Sequence, residues 1–237
     1  SIEQAIRPPA AFNPSQWQGE FRVSMCDNLE SSFFGPLASR LRQLAPHARL
    51  VSVASDIHSP AQMLDDCAFD FSISVHGEPA SWHVRAPLFD QAMMCIYDPR
   101  QVSLKGPLTL DDFVRLPHIA VSIVGTTEDD IDRSLSRLGR PRSVIATVQR
   151  YSGLPAALSA MPSLATIPES IGRSMANLHN LTVVDPPLSL PSDAVSMLYR
   201  RVDEADASSA WFRRLFKEVA GMVLLATGCR CEIPRAA

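Results

Sequence analysis

Between residues 21 and 46 the spacing of apolar side chains switches from every second residue to every third or fourth, and that switch constrains the fold more than any other feature of the chain. In FRVSM, Phe21, Val23 and Met25 share one face while Arg22 and Ser24 share the other, the pattern of a half-buried strand. After CDNLESS, Phe33, Leu37, Leu41 and Leu44 recur at spacings of four, four and three, the stripe of an amphipathic helix. Pro46 disfavours helical geometry in the residue before it, so the helix should end there. Asp27, Asn28, Ser31 and Ser32 crowd the junction, where a helix leaves its first N–H groups unpaired. Ligands of open α/β sheets bind beyond the carboxyl ends of strands, so a pocket mouth is expected near residues 27–32.

The same alternation continues. Residues 49–55 (RLVSVAS) read as a second strand, Ser59-Pro60 as a helix start, a short helix ends near Cys67, and 69–75 (FDFSISV) is a third strand. Strands separated by helices predict a parallel sheet of right-handed βαβ units. Residues 84–97, with Pro87 inside, read as a strand that leaves the first sheet. Thr109-x-x-Asp112 resembles a capping box opening a helix that ends before Pro117. A second series follows, with strands at 119–124, 144–148, 164–167, 181–184 and 194–199. Helices are expected at 128–138 (stopped by Gly139), at 153–160 and from Pro168 through Met175. The terminal helix, 208–226, carries Trp211, Leu215, Val219 and Met222 as its apolar stripe and Ser208 or Ser209 as its cap. Pro8, Pro9 and Pro14 make residues 1–20 a linker, and 227–237 a fraying tail.

Composition excludes several function classes. A net charge of −3 offers no basic excess for nucleic-acid binding by this chain. No run approaches the roughly 18 apolar residues of a membrane span, and no secretory signal opens the chain; its start at Ser1-Ile2 reads as a processed or truncated piece. The five cysteines (26, 67, 95, 229 and 231) are scattered and odd in number, which points to a reducing cytoplasm rather than a disulfide framework. Cys26, Cys67 and Cys95 read as buried thiols, and Cys229-x-Cys231 lacks the second pair that a metal site needs. The histidines form neither HxxxH nor HExxH, and Gly-x-Ser-x-Gly, Walker and Gly-x-Gly-x-x-Gly motifs are absent, so neither an enzyme nor a metal or organic cofactor is expected.

The segment FNPSQWQGEFRVSMCDNLESSFFGPLASRLRQLAPHARL resembles the start of the effector-binding domain of LysR-type transcriptional regulators. The resemblance runs on through FDFSISV, APLFDQAMMCIYDP, GPLTLDDFVRLPHIAVSI and 163–168, covering roughly residues 12–220. It is closest to the subgroup that includes nodulation and aromatic-degradation regulators. It implies an α/β fold of the type 2 periplasmic-binding-protein kind, two Rossmann-like subdomains joined by two crossing strands. The first subdomain would comprise 21–90 plus 196–226 and the second 91–195, with crossings at 89–93 and 193–197. The family's N-terminal helix-turn-helix has no counterpart before Phe21, so DNA would be reached only through a module outside this chain. The family further implies a cytoplasmic homodimer, a tetramer in the full-length protein, in which the first helix (33–45) meets another chain's second subdomain. A stand-alone small-molecule binding protein of the same fold is the alternative.

Carried over by position, the resemblance places the small effector among Cys26, Asp27, Asn28, Ser55 and Asp56 of the first subdomain. From the second come Ser122, Val124, Thr126, Arg150 and Tyr151. Independently of the resemblance, these are polar residues at strand ends, where backbone donors converge. Asp27 and Asn28 could equally be caps of the first helix, Arg150 a solvated charge, and Tyr151 packing at the hinge. Facing the cleft, Arg150 would suit a carboxylate, whereas Asp27 and Asp56 disfavour an anion near the first subdomain and leave a zwitterion, a phenol or a neutral ligand open. Cys26 admits a redox role, though no basic neighbour in sequence activates it.

Overall fold

The computed structural model describes residues 12–54, 60–123 and 125–230. FRVSM forms all but the first residue of β1 (Glu20–Met25), which pairs in parallel with β2 (Arg49–Ser52) on one side and β3 (Phe71–Val75) on the other. The sheet continues through β10 (Asp193–Arg200), antiparallel to β3, to β4 (His83–Gln91), giving the order β2-β1-β3-β10-β4. Only the first three strands are thus the parallel set that the alternation predicts. The fourth is a return strand from the far end of the chain.

The helix after β1 starts earlier than its apolar stripe does. It opens as α1 (Asp27–Leu29), widens into a π-helical turn (Glu30–Phe34) and continues as α2 (Gly35–Leu44), stopping before Pro46 as expected. Pro36 explains the widening. Its ring would collide with the carbonyl of Ser32 in an unbroken α-helix, and the wider turn relieves the clash. Phe33, Leu37 and Leu41 point into a core that Phe89, Phe212 and Phe216 complete.

The second half repeats the plan. β5 (Met93–Tyr97) is antiparallel to β8 (Ala165–Pro168) and β9 (Thr182–Val184), while β6 (Pro117–Val121) and β7 (Ser143–Val148) pair in parallel. A parallel bridge between His118 and Leu164 joins the two groups, so the second sheet reads β7-β6-β8-β5-β9. In each half three parallel strands are followed by one antiparallel strand and one at the edge. The first half has one further short helix, α3 (Pro60–Asp65), between β2 and β3, while α4 (Leu110–Arg115), α5 (Asp130–Arg137), α6 (Leu154–Ala160) and α7 (Glu169–His179) cover the second sheet. Their ends follow local chemistry. Thr109 caps α4, Asp129 and Asp132 form a reciprocal capping box on α5, and Gly139 after α5 takes the left-handed φ of 64° that suits glycine. Gly172 lets α7 approach β5, since a Cβ there would lie 2.8 Å from Met94 Sδ.

The run 84–97 is two strands, split at Ala92, whose carbonyl accepts from Glu169 N–H. Gln91 pairs with Asp193 at the end of the first sheet. The first sheet therefore extends beyond the limits of 91 and 195 read from sequence, and the chain crosses at Ala92 and again in the Pro-rich segment 185–192.

Four local readings need correction. The terminal helix, α8 (Ala207–Ala226), is capped by Asp206, whose carboxylate accepts from Ser209 N–H, rather than by Ser208 or Ser209. Its buried stripe is Phe212, Leu215, Phe216, Val219 and Leu224; Met222 is half exposed and Trp211 only partly covered. Residues 12–20 pack as more than a linker, because Trp17 stacks on Phe21 at 4.5 Å and Phe12 lies against Trp211. Cys67 is exposed, with the Arg200 guanidinium at its sulfur, whereas Cys95 is buried and its thiol is pushed up to about 12 by burial.

The start of the tail is also anchored. Glu169 is fully buried at the first turn of α7, where it receives Arg173 and, from beyond α8, the Arg230 backbone N–H at 3.1 Å and guanidinium at 3.3 Å. Arg230 also reaches Asp185, beside the second crossing. Ser59 and residues 231–237, including Cys231, lie outside the described residues.

Candidate functional site

β1 ends at Met25, and Cys26 then turns the chain into α1 with no side-chain cap of its own. Opposite it, β7 of the second half ends at Val148, and Gln149 and Arg150 lead into a 3-10 turn, Tyr151–Gly153. That turn lacks a local cap. Its first N–H, of Tyr151, donates instead to Asp27 Oδ2 at 2.7 Å, a bond between residues 124 apart that spans the two halves. Asp27 therefore caps the other half's turn rather than its own helix.

Two adjoining cavities flank this contact. One, of about 320 Å³, lies over the carboxyl end of β3 and is lined by Ser72, Ser74, His76 and Arg150 among others. The other, of about 350 Å³, runs towards the crossing strands, with Asn28, Gln91, Tyr151 and Asp193 on its walls. Cys26, Asp27, Val75, Ile123 and Gln149 line both, so they form one cleft between the sheets. Each volume suits a small molecule.

The electrostatics of the cleft follow from burial. The His76 ring is held by Ser72 Oγ and Ser196 Oγ, each at 3.0 Å from a ring nitrogen. Burial, with help from the nearby Arg85 guanidinium, pushes its imidazole down to about 4, so it is neutral at pH 7. The Ser196 contact is made where the β10 register slips between Val195 and Ser196, a bulge that re-aims the side chain. Burial raises the Asp193 carboxyl despite a hydrogen bond from Gln91, whose Oε1 accepts in turn from Ser170 Oγ of α7 at 3.3 Å. Burial also raises the Tyr151 phenol, reinforced by Cys26, Asp193 and Asp27 around it. The Cys26 thiol is raised by burial as well, which works against a reactive thiolate.

Of the residues expected from sequence, Cys26, Asp27, Asn28, Arg150 and Tyr151 come together on the cleft walls. Ser122 and Thr126 bond to each other, with Thr126 N–H donating to Ser122 Oγ at 2.9 Å, and neither lines either cavity; their neighbours Val121 and Ile123 do. Ser55, Asp56 and Val124 lie outside the described residues. The sequence reading missed Ser72, Ser74 and His76, although they occupy alternate positions of SISVH, a polar face that period two would have exposed. Gln91 and Asp193 carry no local signal and reach the cleft because the chain passes between the sheets beside them, whereas Gln149 directly follows β7, next to Arg150. No group of His, Cys, Asp and Glu among the described residues is arranged to hold a metal ion.

A sequence profile of the LysR substrate binding domain matches residues 14–221. Nodulation protein D of Bradyrhizobium sp. (strain ANU 289) is 28% identical over 221 residues, which are 92% of this chain and 65% of that protein. The HTH-type transcriptional activator NagR of Ralstonia sp is 24% identical over 219 residues, 92% of this chain and 73% of that one. Among solved structures, the regulatory domain of MexT, a transcriptional activator in Pseudomonas aeruginosa, superposes with a TM-score of 0.76 at 25% identity, covering 86% of this chain and 98% of the other. The effector binding domain of QuiR in complex with shikimate shares the fold at 13% identity, with a TM-score of 0.67 over 87% of this chain and 99% of that one. NagR and MexT are both named as transcriptional activators. The chain spans about two thirds of the length of the curated relatives that it matches.

Proposed function

The chain belongs to the LysR substrate binding domain family, and from that premise we propose that it senses a small effector in the cleft between its two sheets and passes the result to its oligomer. The cross-cleft bond from Tyr151 N–H to Asp27 carries this reading. It makes the separation of the halves depend on groups that line the ligand cavity, so a molecule touching those groups shifts the closure equilibrium. A ligand moves that equilibrium only as far as it prefers one closure over the other, and polar groups from both halves provide such a preference.

The two subdomains, with bounds shifted to 21–91 plus 193–226 and 93–184 so that each keeps its own sheet, would move about Ala92 and the 185–192 segment. The effector set proposed for the site is Cys26, Asp27, Asn28, Arg150 and Tyr151, extended by His76, Gln149 and Asp193. Closure would alter the packing of an antiparallel homodimer through α2 and the second half of a partner copy, and hence a tetramer of the full-length regulator. DNA contact and control of target genes would reside in the part of the relatives' length that this chain does not span. Residence in the cytoplasm accords with that role; among the described residues no helix is long and apolar enough to cross a membrane.

Ile123 offers a direct test, because its side chain lines both cavities and is 54% exposed. Ile123→Trp should fill the cleft and weaken binding of any ligand found by thermal shift by roughly 100-fold or more, while changing ligand-free stability by less than about 0.5 kcal/mol. Calorimetric affinity within a factor of two of the unmodified protein would refute the cleft as the effector site.

A further inference from the structure

The cleft is unbalanced in charge, and the imbalance bears on what can enter it. Its described walls carry three carboxylates, Asp27, Glu30 and Asp193, against one guanidinium, Arg150. The guanidinium is exposed at the mouth, whereas Asp27 and Asp193 are largely covered. No other described wall group offsets the carboxylates. His76 spends both ring nitrogens on serines and is neutral, and the Cys26 thiol and Tyr151 phenol keep their protons. The first turn of α1, where backbone N–H groups would otherwise cradle an anion, begins with the Asp27 carboxylate itself.

An entering carboxylate would leave water to meet two half-buried negative charges. A hydroxyl would meet acceptors instead. Asp193 and Asp27 both offer lone pairs, and Gln149 can donate or accept. Beside the neutral polar groups Asn28 and Gln91, the second cavity has an apolar stretch of wall formed by Leu29, Val75, Val121, Ile123, Pro168 and Val195. A ligand matched to this surface has an apolar body and hydrogens to give.

We propose that this cleft selects an uncharged, hydroxyl-bearing ligand with a substantial apolar body, a phenol or aryl alcohol, and discriminates against the corresponding carboxylate. The inference rests on reading the cleft as the effector site, and it specifies the chemistry of that site. Asp193 and Asp27 accept the ligand hydroxyl, the apolar stretch holds its body, and Arg150 borders the mouth without setting the charge preference.

The test is a panel of matched pairs differing in one group: 2-naphthol with 2-naphthoate, 4-hydroxybenzyl alcohol with 4-hydroxybenzoate, and phenethyl alcohol with phenylacetate, extended to some twenty pairs. Thermal shift ranks them, and calorimetry gives affinities for those that bind. The neutral member should bind at least tenfold more tightly in the pairs that register, and Asp193→Asn should narrow that gap several-fold. A panel without a neutral hit, or acids that bind more tightly and lose affinity in Arg150→Ala, would overturn the proposal. The Ile123→Trp variant separates the two levels. Acid binding abolished by the tryptophan leaves the cleft as effector site and removes only the charge selection. Hits of either kind that survive the tryptophan remove both.

Discussion

Acidification from pH 7 to pH 4 is expected to cost this protein on the order of 5 kcal/mol of folding stability, as much as a marginal domain possesses. Two histidines are responsible. His76 and His118 are both pushed down to about 4 by burial. His118 Nε2 lies 2.6 Å from the Phe113 carbonyl, so it carries the proton, and Nδ1 has no partner among the described residues. A second proton would have to sit on that enclosed nitrogen. In the unfolded chain each imidazole titrates near 6.5, so between 6.5 and 4 the unfolded state binds the extra protons and the native state does not. Their contribution is complete above about 6.5 and is lost as pH falls towards 4, at up to about 1.4 kcal/mol per pH unit for each. The sum is discounted because His76 is partly solvated and because Asp70 and Asp193, raised by burial, act in the opposite sense near the acid end. Urea unfolding at pH 7, 6, 5 and 4 measures the slope, and His118→Gln should remove about half of it whatever its stability at pH 7. A slope unchanged by that substitution would show that the acid sensitivity lies elsewhere.

The second large effect belongs to Phe33. Its ring is wholly buried in the π-helical turn beneath the cleft, with Phe89 at 5.4 Å and Phe216 at 6.1 Å between ring centres. It thereby joins the first helix, β4 and the terminal helix. Phe33→Ala should cost about 3–5 kcal/mol, since the removed ring leaves a cavity that three anchored elements cannot close. Leu225→Ala provides the contrast, because Leu225 is 83% exposed and the change should fall within about 0.5 kcal/mol. Denaturant midpoints of the two variants that differ by less than about 1 kcal/mol would contradict the packing described for Phe33.

The sequence exposed what short-range periodicity encodes. The strand at FRVSM, the helix stripe of Phe33, Leu37 and Leu41, the Thr109 cap and the Gly139 stop all depend on neighbours within a few residues. Where several neighbours compete, the signal fails. Asp206, Ser208 and Ser209 have similar capping preferences, and only three-dimensional geometry gives the role to Asp206. The π-helical turn was readable in principle from Pro36, yet a stripe at spacings of four and three fits either kind of turn.

For the candidate site the limit was distance along the chain. Cys26, Asp27 and Asn28 were found because they follow a strand that the sequence shows clearly. His76 gains its role from Ser196, 120 residues away, and Asp27 from Tyr151. Asp193 and Gln91 become cleft residues only because two strands cross. Arg230 holds Glu169 after the chain has left one half and returned to the other. Local spacing carries no trace of such pairings.

Hydrogen–deuterium exchange with and without a cleft ligand from the matched-pair panel tests the central claim most directly. The account predicts slower exchange, confined to the amides of 26–29, 75–77 and 149–153, with a second and weaker change at the Ala92 crossing. Protection at pockets away from the cleft, such as the surface around Arg142 and α5, with the 26–29 and 149–153 amides unaltered, would contradict it.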